Sequence, residues 1–152
     1  MVDKAPEALR NQLGIAVASG IYTAYIELLS SPCWQRAYNA GARAQRLLWA
    51  STGTKDPKAS DTLYIKTLAA PFTVNTMPEG TLKALADHGE IGPIMAPDGG
   101  DSEKILDKFA KAGTDVDALG AQLQEEGAES FVKSWNDLLQ CIASKSKALK
   151  AA

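Results

Sequence analysis

Histidine occurs once in this chain, at His88, and cysteine only at Cys33 and Cys141. A lone imidazole leaves little from which to build a histidine-rich zinc site. The two thiols are far apart and lack the paired spacing of metal ligands, so they read as separate thiols of a reducing compartment. Positive charge is not in excess either: 16 Lys and Arg stand against 18 Asp and Glu, a formal charge of -2. That balance excludes the concentrated basic surface on which nucleic-acid binding depends. Residues Met1 to Pro6 carry no apolar signal segment, and the longest apolar region, Leu13 to Leu29, is interrupted by Ser, Thr, two Tyr and Glu27. No membrane partner is expected from it. The nucleotide-binding spacing Gly-x-x-x-x-Gly-Lys-Ser/Thr is missing, and Asp98-Gly99-Gly100-Asp101 lacks the alternating oxygen ligands of a calcium hand. Neither a metal nor a cofactor is expected.

What is present is enough apolar material for a core, 45% of 152 residues, in a length suited to one domain, 1–152. Leu9, Leu13, Val17, Ile21 and Leu28 recur at helical intervals, and the pattern predicts a helix from Pro6 to about Ser30 in which Gly14 and Gly20 permit close packing. Ser31-Pro32 restarts a short helix, with Ser as cap and Pro in the first turn, and Gly41 ends it. Arg46 to Ala50 predicts a strand buried on both faces, and Ala70 to Asn75 a second, weaker one that begins near Pro71. Asp61 to Leu68 fits a short helix. Thr76-Met77-Pro78-Glu79 has capping-box spacing before a helix stopped by Gly89. Asp101 is placed to cap a helix containing Phe109. Val116 to Gln124 predicts a short helix closed near Gly127, followed by a separate helix lined by Phe131, Trp135, Leu138, Leu139 and Ile142.

The loop after the first strand is the richest in chemistry. Ser51, Thr52 and Thr54 supply hydroxyls, Gly53 supplies freedom and Lys55 a positive charge, a set suited to an oxyanion such as phosphate. The competing reading is a loop held by hydroxyl-to-backbone bonds. Asn75 ends the second strand, where it could orient a ligand or close a turn. His88 beside Asp87 reads as a helix-end imidazole rather than a base, since neighbours in a helix do not face each other. Trp34, Trp49 and Trp135 read as packing residues.

The segment Gln45-Arg46-Leu47-Leu48-Trp49-Ala50-Ser51-Thr52-Gly53-Thr54-Lys55 resembles a signature of the transaldolase family. Asp61-Thr62-Leu63-Tyr64, Thr73 to Glu79, Ala84 to Gly89 and Phe131 to Trp135 continue the pattern in order, and Pro6 to Arg10 resembles the start of the family's sixth barrel helix. The resemblance implies an α/β fold, here a partial TIM barrel covering the strand seven to strand eight region plus C-terminal helices, predominantly helical overall. Leu47 to Ala50 would be strand seven and Phe72 to Asn75 strand eight. It implies that the chain is a C-terminal segment of an enzyme that transfers a dihydroxyacetone unit between sugar phosphates through a lysine Schiff base. Ser51 would match the family's phosphate serine, and Gly53 stands where shorter family members carry an arginine. The Schiff-base lysine and the acidic residues have no counterparts, which predicts a chain inactive on its own. The alternatives are a non-enzymatic oligomerisation or partner-binding protein and a sugar-phosphate binder without turnover. Expected partners are a sugar phosphate, a second copy, or a complementary barrel segment. The cytoplasm is the expected location, with a plastid as the alternative.

Overall fold

The computed structural model describes residues 6–150, which fall into two compact units, one ending at Ala112 and one beginning at Gly113. In the first unit a 3-10 turn, Glu7–Leu9, precedes helix α1, Leu13–Ser30, and helix α2, Pro32–Asn39. Strand β1, Leu47–Trp49, helix α3, Leu63–Thr67, and strand β2, Thr73–Asn75, follow; helices α4, Glu79–His88, and α5, Ser102–Lys111, complete it. The second unit consists of α6, Val116–Lys150.

The helix expected from Pro6 onward is broken at Asn11, whose backbone is left-handed at φ 60°. The break is fixed by tertiary bonds. Arg10 Nε and Asn11 Nδ2 both donate to Asp56 Oδ2, each at 2.9 Å, so the chain turns toward the loop after β1 instead of extending α1. By length and apolar composition the stretch Glu7–Ser30 would suffice to cross a membrane. In the fold α1 packs on α5 and buries Ala16, Ala18 and Tyr22, whereas Ile21 and Leu28 of the expected stripe are exposed. The buried face of α1 is therefore carried by Ala16, Ala18 and Tyr22, with Ile26 packed beside them, and not by Ile21 and Leu28. A side chain at Gly14 or Gly20 would meet nothing, so neither glycine serves a close helix crossing. Ser31 does cap α2, accepting from the Trp34 amide at 3.2 Å, and Gly41 takes the left-handed conformation, φ 97°, just beyond its end.

β1 and β2 pair in parallel, with Leu47 opposite Thr73, Leu48 opposite Val74 and Trp49 opposite Asn75. Their inner face lies on α1: Trp49 joins Ala18, Tyr22, Leu68 and Met95 in the core, with Leu47 packed beside them. Two tyrosines of α1 fix the approach to each strand, Tyr25 donating to the Gln45 carbonyl at 3.0 Å and Tyr22 to the Pro71 carbonyl at 3.4 Å. The other face is bare, since Leu48 and Val74 are exposed. Burial on both faces, the usual state of parallel strands, is thus not reached. The expected partial TIM barrel is corrected accordingly. The described fold is predominantly helical, with one two-stranded parallel sheet that does not close.

Other local expectations also change. Thr76 does not cap α4: its hydroxyl donates to the Trp49 carbonyl at 3.2 Å, tying the end of β2 to β1. Asp101 receives Lys104 Nζ at 2.6 Å instead of capping α5. The two helices expected after Val116 are one, running through Gly127 without a stop.

Candidate functional site

In a parallel pair both strands deliver their carboxyl ends to the same edge, where ligands of α/β proteins commonly lie. Here Trp49 and Asn75 are partners in register, so the loops that leave them, Ala50 to Asp56 and Thr76 to Pro78, start side by side. The Thr76 amide donates to the Trp49 carbonyl at 2.9 Å, and with the Thr76 hydroxyl this locks the two loop origins together.

Ser51 is exposed directly after β1, and its backbone is left-handed at φ 57°. A non-glycine residue reaches that region at a cost of roughly 1 kcal/mol or more, so the surroundings must hold it there. They do so through Thr52, which turns inward and is 3% exposed. Its hydroxyl donates to Asn75 Oδ1 at 2.7 Å, with the Thr76 carbonyl 3.4 Å away. The Asn75 side-chain acceptor is thereby used, and the group it has left to offer is a donor amide. Gly53 follows in a tight place: a side-chain carbon there would lie 3.1 Å from Pro78 Cγ. Thr54 Oγ1 is buried with no protein hydrogen-bond partner among the described residues, a condition that costs about 1–3 kcal/mol. Lys55 is exposed.

Asp56 anchors the far end of the loop. Besides Arg10 and Asn11 it receives the Lys58 amide at 3.0 Å, an Asx turn across Pro57. The Asn11 bond, with the Lys58 amide and Arg10 after it, holds the Asp56 carboxyl below the ordinary carboxylate range. The structure thus brings Ser51, Thr52 and Asn75 to one edge. Sequence reasoning gave Thr76 to a cap and overlooked the Arg10–Asn11–Asp56 tether. Asp56 before Pro57 was a local turn signal, but nothing local announced the two residues 45 and 46 positions upstream.

His88 lies elsewhere, at the end of α4. Its Nε2 is 3.0 Å from Asp61 Oδ1 and its Nδ1 is 3.1 Å from Asp87 Oδ2, so the neighbouring aspartate does reach the ring. The Asp61 bond first, and the Asp87 bond second, raise the imidazole above its ordinary pKa. The carboxylates occupy opposite nitrogens and cannot converge on one ion. Among the described residues no group of three His, Cys, Asp or Glu side chains is placed to hold a metal.

Every lysine from residue 6 to residue 112 is exposed. A Schiff-base amine needs burial or a confined pocket to remain neutral. With the sheet open, the expected TIM-barrel pocket and its lysine Schiff base conflict with this mostly helical structure.

Comparison with known proteins bears on the whole chain. The family model described as Transaldolase/Fructose-6-phosphate aldolase matches residues 1–142. A transaldolase of Mycolicibacterium smegmatis is 47% identical over 144 residues, covering 94% of this chain and 39% of that protein. A transaldolase of Parafrankia is 47% identical over 137 residues, covering 90% of this chain and 37% of its relative. One from Thermobifida fusca is 46% identical, with the same two coverages. The chain spans less than two fifths of the length of these relatives. The expectation of a C-terminal family segment is replaced by a broader finding, since the likeness takes in 88–94% of this chain and is not limited to a C-terminal portion of it. The same likeness overturns the reading of an inactive derivative, and with it the non-enzymatic binder and the sugar-phosphate binder without turnover, since it places this chain among transaldolase-family sequences. The chain belongs to the transaldolase/fructose-6-phosphate aldolase family, a family of carbohydrate metabolism.

Proposed function

We propose that this chain forms the phosphate-holding part of a transaldolase-family enzyme. Its reaction would be the transfer of a dihydroxyacetone unit between sugar phosphates. Ser51, Thr52, Thr54 and Lys55 are assigned to the phosphate end of the substrate, and Asn75 to orienting the ligand. The observation that carries this reading is Ser51, held exposed in a left-handed conformation at the carboxyl end of β1 by the bond from Thr52 to Asn75. Ser51 is also the residue that resembles the family's phosphate serine.

The chemistry follows from the donors. The Ser51 hydroxyl and the Lys55 ammonium meet an anion from solvent, while Thr52 acts through Asn75 and leaves the Asn75 amide as a donor. Thr54, whose buried hydroxyl has no protein partner among the described residues, is assigned to a water that bridges to the same anion. Donors arranged before the ligand arrives need no reorganisation, and a phosphate fixed at one end restricts the motion of the carbonyl at the other. The remaining groups of the transfer reaction are assigned to a complementary segment of family polypeptide. That assignment is supported by the exposure of the local lysines, by the bare Leu48–Val74 face and by the greater length of the relatives. Both cysteines are free and exposed, which suits a reducing, cytoplasmic setting.

Transfer from a ketose phosphate, measured on the chain reconstituted with the remaining family sequence, tests the assignment. Ser51→Ala should raise KM for the phosphorylated ketose roughly tenfold to a hundredfold, the range for a lost hydrogen bond to a charged group. Turnover of an unphosphorylated ketose should be unaffected. Equal KM values for wild type and variant would falsify the phosphate role of Ser51.

A further inference from the structure

The loop from Ser51 to Lys55 is pinned at both ends. Near its start Thr52 is tied to Asn75. Immediately after Lys55 stands Asp56, whose side chain is only 11% exposed. Both of its carboxylate oxygens are in use: Oδ2 accepts from Arg10 Nε and Asn11 Nδ2, and Oδ1 accepts from the Lys58 amide. Its backbone carbonyl accepts from the Ala59 amide at 3.1 Å, so a turn closes directly behind it.

The partners of Asp56 are themselves fixed. Leu9, the residue before Arg10, is buried, and α1, which begins just after Asn11 and Gln12, packs on α5. Glu7 accepts from Arg10 Nη1 at 3.2 Å and holds the guanidinium from its other side. Asparagine tolerates the left-handed backbone found at Asn11. The loop is thus moored to a packed part of the fold through charge-assisted bonds.

A carboxylate repels an anion, and that of Asp56 has its oxygens turned to protein donors, so it is not itself a phosphate ligand. Its effect falls on the backbone from which Thr54 and Lys55 project. Ordering a loop when the ligand arrives weakens binding, and ordering it beforehand avoids that loss. Resting on the phosphate reading of Ser51, we propose that Asp56 is a positioning residue for substrate affinity. Through Arg10 and Asn11 it couples the start of α1 to the Thr54–Lys55 end of the loop.

The bond between Asn11 and Asp56 lends itself to an exchange. In Asp56→Asn the Lys58 amide keeps its acceptor, but an amide nitrogen now faces the two donors. Adding Asn11→Asp reverses the bond at unchanged net charge, with the amide on the loop side donating to the carboxylate on the α1 side. In the full chain, nuclear magnetic resonance relaxation should show the Thr54 and Lys55 amide order parameters falling in Asp56→Asn from about 0.85 to below about 0.6. The amides of α1 and α5 should keep their wild-type values. In the chain reconstituted with the remaining family sequence, Asp56→Asn should raise KM for the phosphorylated ketose roughly fivefold to tenfold. Turnover number and activity on an unphosphorylated ketose should not change. The paired variant should recover the rigid loop, and KM to within about threefold of wild type. Asn11→Gly removes one donor while permitting the left-handed turn, and should give the same changes at smaller amplitude even where Asp56→Asn fails to fold. A loop that stays rigid in these single variants, or a loss that the paired exchange does not recover, would overturn the proposal. A raised KM in Ser51→Ala with an unchanged one in Asp56→Asn would overturn the tether alone. Unchanged KM in both would overturn the phosphate reading and the tether with it.

Discussion

At His88 a single ring bridges two segments, the end of α4 and the residue that precedes Thr62 and α3. Its raised pKa and the lowered pKa of Asp61 share one cause, the hydrogen bond between them. A raised imidazole pKa contributes stability that is full below the unfolded value, about 6.5, and disappears as pH rises through the folded value. The Asp61 carboxyl behaves oppositely: its contribution is present above its ordinary 3.8 and fades as pH falls through the lower folded value. The clamp is therefore strongest between about pH 4 and 6.5. Nuclear magnetic resonance titration should place the His88 midpoint above that of an unstructured histidine. His88→Gln should be less stable than wild type at pH 5.5 and converge with it by about pH 8.5, where both rings are neutral or absent. A constant gap across that range would show that His88 acts through packing alone. Both groups are more than half exposed, so solvent and salt keep the effect small.

Among elements, α6 shows how continuity can outweigh a local stop signal. Gly120 and Gly127 each weaken a helix by roughly 0.5–1 kcal/mol, yet the helix continues through both. A side chain at either position would meet nothing within 4 Å, so neither glycine is retained for a close approach. Gly120→Ala should raise the stability of α6 by about 0.5–1 kcal/mol, seen as greater helical ellipticity and a higher melting temperature. An unchanged or lower melting point would show that the open backbone at Gly120 is needed. Elsewhere, a capping signal succeeded where its local target was free of competition and failed where another group took the side chain, a distant one at Thr76 and the nearby Lys104 at Asp101. Ser31 caps α2 because its target, the Trp34 amide, is three residues away. Thr76 was legible as a cap for the same reason, but the Trp49 carbonyl, brought close by strand pairing, took its hydroxyl instead.

For the molecule as a whole, the open sheet is the main feature. β1 and β2 have one face on α1 and α3-flanking residues such as Leu68, and one face that offers Leu48 and Val74 to solvent. A parallel pair so arranged is suited to further strands or a covering segment. Replacing Leu48 and Val74 together by Thr puts β-branched polar residues on the bare face and should cost the isolated chain less than about 1 kcal/mol. The same double substitution should weaken complementation by the remaining family sequence at least tenfold, measured by titrating that segment into the transfer assay. Undiminished complementation would show that the segment joins elsewhere.

Residue order by itself determined the succession of elements from α2 to α5, the two short strands, the family and the concentration of hydroxyls from Ser51 to Thr54, because these depend on local periodicity, turn chemistry and motif. It could not determine which groups those hydroxyls meet. The break at Asn11, the inward turn of Thr52 toward Asn75, the ring of His88 between Asp61 and Asp87, and the bare side of the sheet were decided by tertiary structure. Each depends on a partner many residues away, and a donor's choice among distant acceptors is settled only when packing brings one of them within about 3 Å.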